Sequence, residues 1–548
     1  DNLSSIDQNS DGPGYTGGLI ATVTQTGAAT SDILQTGSHG GKNMRASVTQ
    51  DSSTSYVQQT ASDTSGFNPS ANARVVQNGG STSDVFQTLT GDLTGDLNAD
   101  VTQDNGATST INQNAFGDGS MTQDAIVTQD GASGSTITQT FNNTDSNTFL
   151  ATVDQTGNGH TSSVLQEDFG GAPAGNPDNG LTASVTQNGS DNDSSVQQFN
   201  RGHTATVVQT GSDETSTILQ NGNSNTAAVS QSGSFNTSDV NQGGFGQFAN
   251  VSQTGINNNA DVDQFGDGNN DANVNQAGTD SSARVDQSGN ARGEEANITQ
   301  LATAANNSAT INQTGDSSTG APQNRSEANI TQGGGSLNTA TTTQSGFEQF
   351  ADANQSGSGN RSLITQSGAG NSADVDQTGD DNDSQVVQQG NPFFTGLPND
   401  VFVTQIGVAN SSTVDAQNGD GSNTVDVDQT GTLNTSLIAQ GSSAAAGNSI
   451  ALTQIGDSNQ STITQASGIF ADANSISATQ DGDRNVSLID QQGFSNSITL
   501  FQGGADNKST IDQTGDSNTA TVTQTGAFDV STVNQSGSGN TATVTQGS

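Results

Sequence analysis

The sequence has no cysteine and no tryptophan, and only two methionines, two tyrosines and seven prolines in 548 residues. Without cysteine there is no disulfide framework and no thiolate metal site. Hydrophobic residues make up 28% of the chain, against ~45–50% in ordinary globular chains. That excludes the several oily-cored domains which this length would otherwise suggest. Positive charge is equally scarce: ten Lys plus Arg stand against 55 Asp plus Glu, a formal net charge of −45. Such a chain repels nucleic-acid phosphates and anionic lipid, so neither nucleic-acid binding nor membrane insertion is expected. No run is apolar enough to span a bilayer. Asp1 opens the chain with no signal-peptide pattern, so any export signal is expected to have been removed or never to have been present. Low hydrophobicity with high net charge is also the composition of disordered chains. The periodicity of what is present decides against disorder.

One pattern runs from end to end: a small residue, any residue, Val or Ile, any residue, then Gln. It reads Ser509-Thr-Ile511-Asp-Gln513, then Ala520-Thr-Val522-Thr-Gln524, Ser531-Thr-Val533-Asn-Gln535 and Ala542-Thr-Val544-Thr-Gln546. There are about 44 such modules, and repetition over a whole chain marks a solenoid or array. In long stretches the Gln residues fall eleven apart: Gln187, Gln198, Gln209, Gln220, Gln231, Gln242, Gln253 and Gln264. Within a module the fixed residues alternate with variable ones, which is the period of a β-strand with Ala/Ser, Val/Ile and Gln on one face. Between modules lies a turn such as Thr514-Gly515-Asp516-Ser517-Asn518-Thr519. Gly515 and Asn518, like Gly537 and Asn540, are expected there because Gly and Asn tolerate positive φ.

The spacings also show how modules pair. Counting modules from Gln8, the step from an even module to the next odd one stays near eleven, as from Gln25 to Gln35 or Gln454 to Gln465. The step from odd to even is often longer, as from Gln59 to Gln77 or Gln166 to Gln187. One tight edge and one tolerant edge imply a flattened coil of two strands, and hence about 22 coils. The predicted fold is all-β: a parallel two-strand-per-coil β-solenoid with two facing parallel sheets and inward Gln/Asn ladders. It is expected to run as a single continuous repeat domain over 1–548, with longer turn insertions near 9–19, 60–70, 167–180, 314–325 and 389–398. Inward Gln residues stack amide on amide, which satisfies polar groups that cost ~1–3 kcal/mol each when buried unpaired. Gln187 to Gln264, and Gln513, Gln524, Gln535 and Gln546, are the expected ladder, with Asn518 and Asn540 forming another. In this register Asp352 and Asp374 are predicted to be like-charged neighbours one coil apart.

Gln513-Thr-Gly515-Asp-Ser-Asn518-Thr-Ala520-Thr-Val-Thr-Gln524 resembles the curlin repeat, Gln-x-Gly-x-x-Asn-x-Ala-x-x-x-Gln. The same run recurs at Gln535, Gly537, Asn540, Ala542 and Gln546, and at Gln366, Gly368, Asn371, Ala373 and Gln377. The resemblance implies a secreted, extracellular curli-type amyloid subunit in a cell-surface biofilm matrix that mediates adhesion. It also implies a nucleator subunit and an outer-membrane secretion channel as partners. The chain departs from the familiar subunits in its many repeats, its one-sided insertions and the lack of a non-repetitive targeting segment at its start. The principal partner is expected to be the chain itself. Ser4, Ile6 and Gln8 at one end, and Ala542, Val544 and Gln546 at the other, already belong to the pattern. No cap separates them from a head-to-tail contact, so they are the expected polymerisation ends.

No catalytic constellation stands out, no helix is expected, and neither cofactor nor metal is called for; the chain reads as no enzyme. His39, His160 and His203 sit beside Gly or Thr and read as surface-turn residues. Asp380-Asp381-Asn382-Asp383 reads as a solvated acidic turn rather than a calcium loop. Two other functions fit a solenoid: a monomeric adhesin or surface spacer, and an ice-binding array of outward Thr pairs. The pairs Thr22/Thr24, Thr136/Thr138, Thr462/Thr464 and Thr521/Thr523 are too dispersed for an ice-binding face.

Overall fold

The computed structural model describes the chain except residues 12–17, 39–42, 63–68, 143–145, 170–179, 267, 290–292, 316–324, 391–398, 419–421, 443–446, 467–472 and 548. The described residues form strands and turns and no helix, so no helix among them is long and apolar enough to cross a membrane. The chain divides into two compact units, Asp1–Phe265 and Gly266–Ser548.

In the first unit successive strands alternate between two parallel sheets. Asp193–Arg201 pairs with Thr215–Asn223, and that strand with Thr237–Gln242. The strands between them, Thr204–Ser212, Thr226–Ser234 and Phe248–Ile256, pair in the opposite sheet. Register is fixed by like residues: Ala205 lies on Ala227, Val207 on Val229 and Gln209 on Gln231. Each of these side chains is buried, while Thr206 and Val208 between them are only partly so. The period-two pattern thus puts the small residue, the β-branched residue and Gln between the sheets, as expected.

The second unit repeats this plan. Glu327–Gly333, Phe350–Ser356 and Asn371–Asp380 stack in one sheet. Ser308–Gly315, Thr339–Phe347 and Arg361–Ala369 stack in the other. Asp352 lies on Asp374, the like-charged pair read from the spacing. Burial first, then Asp376 and Asp352, pushes the Asp374 carboxyl up to about 6.

The bodies of the five insertions, 12–17, 63–68, 170–179, 316–324 and 391–398, lie outside the described residues. Their flanks do not: Thr54–Ser62 and Ser70–Gln77 place residues 60–62 and 70 in strands. Between Gln87 and Gln155 the strands Thr94–Asp104, Ser120–Asp130 and Asn147–Asn158 are long, at 11, 11 and 12 residues. Their inward positions carry Leu97, Met121 and Phe149, which join Met44, Leu89, Leu93, Phe141 and Leu181 in one buried apolar cluster.

Candidate functional site

The chemistry of this chain is concentrated in its side-chain ladders. Gln187 Nε2 donates to Gln209 Oε1 at 2.7 Å, Gln209 to Gln231 at 2.9 Å and Gln231 to Gln253 at 2.8 Å. In the facing sheet Gln198 donates to Gln220, Gln220 to Gln242 and Gln242 to Gln264, each at 2.9 Å. In the second unit Gln513 reaches Gln535 at 2.7 Å and Gln524 reaches Gln546 at 2.9 Å. The second amide hydrogen crosses the core. Gln209 Nε2 also donates to the Asp193 carbonyl at 2.9 Å and Gln231 Nε2 to Thr215 at 2.8 Å, both in the other sheet. Each Gln therefore ties its own sheet along the stack and the two sheets to one another. The amide does what an apolar side chain cannot, and leaves no donor stranded.

A second ladder lines the turns. Asn360 Oδ1 accepts from the Asn382 backbone N–H at 3.0 Å, and Asn382 Oδ1 from that of Asn410 at 3.1 Å. The Asn360 Nδ2 donates back to the Ser356 carbonyl at 3.3 Å and across to Gly379 at 2.7 Å. Asn382, read from the sequence as part of a solvated acidic turn, is a buried rung of this ladder. At the other edge Asn518 Oδ1 accepts from the Asn540 N–H at 3.0 Å, and Asn518 Nδ2 donates to Gly537 at 3.0 Å. Asn518 is therefore a rung, and its presence is not explained by backbone conformation. The residue with positive φ is the one before it, Ser517, at 57°. Gly515 and Gly537, at φ 111° and 96°, do occupy the expected left-handed region. At Gly515 there is a second reason: a Cβ would lie 2.1 Å from the Gly537 carbonyl oxygen.

Two of the histidines correct the sequence reading, and His39 lies outside the described residues. His160 and His203 are fully buried, not exposed in surface turns. His203 Nε2 lies 2.8 Å from the Phe199 carbonyl, and its Nδ1 accepts from the Asn225 N–H at 3.2 Å. His160 makes the same two contacts, with Thr156 and Asn192. A neutral imidazole with its proton on Nε2 supplies what an Asn rung supplies: one donor to a carbonyl four residues back and one acceptor for the next coil. Burial lowers the His203 pKa to about 4. The spacing held the signal, because His160 follows Gln155 as Gln-x-Gly-x-x-His, in the phase of the ladder Asn.

Glu214 and Glu294 occupy rungs too, both buried. Glu214 carboxyl oxygens accept from the Asn236 N–H at 3.1 Å and from Asn236 Nδ2 at 3.3 Å. Burial raises Glu214 to about 7, against the bonds from Asn236, and burial likewise raises Glu294 to about 7. In line with Glu214 the neighbouring rungs are Asn192 and Asn236, and in line with Glu294 they include Asn270 and Gln349, so an acid stands where an amide stands elsewhere.

Ser4, Ile6 and Gln8 lie on the strand Leu3–Asp11, where Gln8 donates to Gln35 at 2.6 Å. Ala542, Val544 and Gln546 lie on Thr541–Gln546, half-buried, in register with Ala520, Val522 and Gln524. No group of His, Asp and Glu suited to hold a metal ion occurs among the described residues.

Comparison with protein-family models matches the curlin associated repeat at eight segments: 203–233, 211–244, 338–368, 362–390, 421–456, 471–502, 495–526 and 515–547. A search of curated proteins gives no match.

Proposed function

Because the chain belongs to the curlin family, whose repeat it carries between residues 203 and 547, we propose that it is a structural subunit of an extracellular, curli-type amyloid fibre. In this reading the subunit is not an enzyme, and its work is polymerisation into a cell-surface biofilm matrix that mediates adhesion. The observation that carries the proposal is the sameness of the rungs. Gln209 meets Gln231 in the same bond, in the same register, as Gln231 meets Gln253. A coil edge of that kind is a template for the edge of another copy, joined by strand addition. The contact is head-to-tail and does not close, so it yields filaments. Val530–Ser538 and Thr541–Gln546 of one copy would meet Leu3–Asp11 and Leu19–Thr26 of the next. Gln535 and Gln546 would then pass the ladders to Gln8 and Gln25. A nucleating subunit and an outer-membrane channel are the further partners that family resemblance supports.

Fibre diffraction and electron microscopy of the purified chain test this reading. Filaments with a ~4.8 Å spacing along their axis are expected, growing faster as salt screens the charge of −45. Seeds of Val544→Pro/Gln546→Lys should fail to elongate from that edge. A chain that stays monomeric at all salt concentrations would instead be a surface spacer, and thermal hysteresis would mark an ice-binding array.

A further inference from the structure

The apolar cluster of the first unit has a counterpart on the outside. Five neighbouring strands, from Leu19–Thr26 to Ser120–Asp130, carry alanines at matched inward places: Ala21, Ala46, Ala73, Ala99 and Ala125. Next to them on the core side lie bulkier residues such as Met44 and Leu97. Over the alanines the outer face forms an open groove of about 510 Å³. Four strand steps make it ~19 Å long.

The groove holds Arg45 and Arg74, two of only ten basic residues in the chain. Arg74 is paired with Asp100 at 2.7 Å. Arg45 is exposed and its guanidinium has no ion pair or hydrogen bond among the described residues. Beside it runs an amide column: Asn72 donates to Asn98 at 2.9 Å, and Asn98 to Asp124 at 2.8 Å. Ile20 and Ile126 supply apolar surface at opposite ends.

We propose that this groove binds a carboxylate-bearing polysaccharide, a polyuronate segment lying along the stack. Four features point to that class. A planar guanidinium without a partner matches a carboxylate in a two-pronged bond. The amides and the Asp100 carboxylate offer acceptors and donors to ring hydroxyls. The isoleucines suit the C–H face of a sugar. The lining runs over five stacked strands, from Ile20 to Ile126, which is long enough for several sugar rings in a row. An acidic peptide is disfavoured, because the groove lies over the middle of paired strands and offers no free backbone edge for its amides. The inference is independent of fibre formation, since all of the groove lies within one unit of one chain.

Isothermal titration of the full chain with tetragalacturonate tests it, with cellotetraose and short poly-L-glutamate as comparisons. Tetragalacturonate is expected to bind, Arg45→Ala to weaken it at least tenfold, and Arg45→Lys to weaken it less, since charge remains while the fork is lost. Arg361→Ala, an exposed arginine of the second unit paired with Asp383, should bind as the parent does. Circular dichroism should show the Arg45 variants folded, because the side chain points outward. Equal binding by Arg45→Ala overturns the proposal. So does cellotetraose or poly-L-glutamate binding as tightly as tetragalacturonate, because the site would then read neither the carboxylate nor the sugar.

Discussion

Two stretches of the first unit close the same coil by different means. From Met44 to Leu181 the tolerant edge is filled with oil: Leu89, Leu97, Met121, Phe141 and Phe149 pack together, the two phenyl rings edge to face at 6.4 Å. From Gln187 to Gln264 that edge is closed by polar rungs, His203, Asn225 and Gln247, each bonded along or across the stack. The first stretch includes three strands of 11 or 12 residues, whereas the strands from Asp193–Arg201 to Asn259–Gln264 have six to nine. Family-model matches begin at residue 203, inside the second stretch. The comparison teaches that the Gln ladder is the common element. What closes the turn can be either apolar volume or a second amide ladder.

The comparison breaks most readily at its apolar side. Phe141→Ala should destabilise the first unit by about 3–5 kcal/mol, the range for emptying a large buried aromatic site. Urea unfolding would measure it. A loss below about 1 kcal/mol would mean that the cluster is dispensable to that stretch. In the polar stretch, Gln231→Leu strands the amides of Gln209 and Gln253 and should cost about 2–4 kcal/mol. Outward Ser230→Ala should stay within about 0.5 kcal/mol. Equal costs at both positions would deny the ladder its role.

A titration tests the acid and histidine rungs themselves. Glu214 and Glu294 are raised to about 7 in the fold. Their contribution is therefore full below the ordinary value near 4.5 and is lost as pH rises through about 7. His203 is lowered to about 4, so its contribution is full above about 6.5 and is lost as pH falls toward 4. Glu214→Gln, which keeps the size and an accepting oxygen but does not titrate, should flatten the decline in urea midpoint between pH 5 and pH 8. An unchanged decline would show that Glu214 is already ionised in the fold. Smallest of all, Arg361→Ala removes an exposed ion pair at 2.9 Å and should shift stability by ~0–1 kcal/mol.

Most of this was legible because the repeat encodes its own register. Equal spacing placed Gln209 on Gln231, and the asymmetry of the long steps assigned alternate modules to opposite sheets. Two things escaped. His160, His203 and Glu214 were masked by their residue type, since isolated polar residues in turn-like sequence ordinarily face water. Their phase, five residues after a ladder Gln (Gln155, Gln198 and Gln209), carried more information than their chemistry. The apolar cluster escaped because Leu97, Met121 and Phe149 lie in steps of irregular length, where spacing alone does not distinguish a loop from a strand extension.

The matched registers have a consequence for how such a chain changes length. Thr204 lies on Thr226, and 22 residues separate the bonded rungs here. Excising Thr204–Asn225 would join His203 to Thr226 and leave every later residue in its own sheet, facing the same way. Excising half as much, Thr204–Glu214, would exchange the sheets for everything downstream. The alanine column would be laid on the serine column, and the long edge where the short one belongs. The chain thus obeys a parity rule: it can grow or shrink freely by even numbers of modules, and an odd change is the one its geometry penalises.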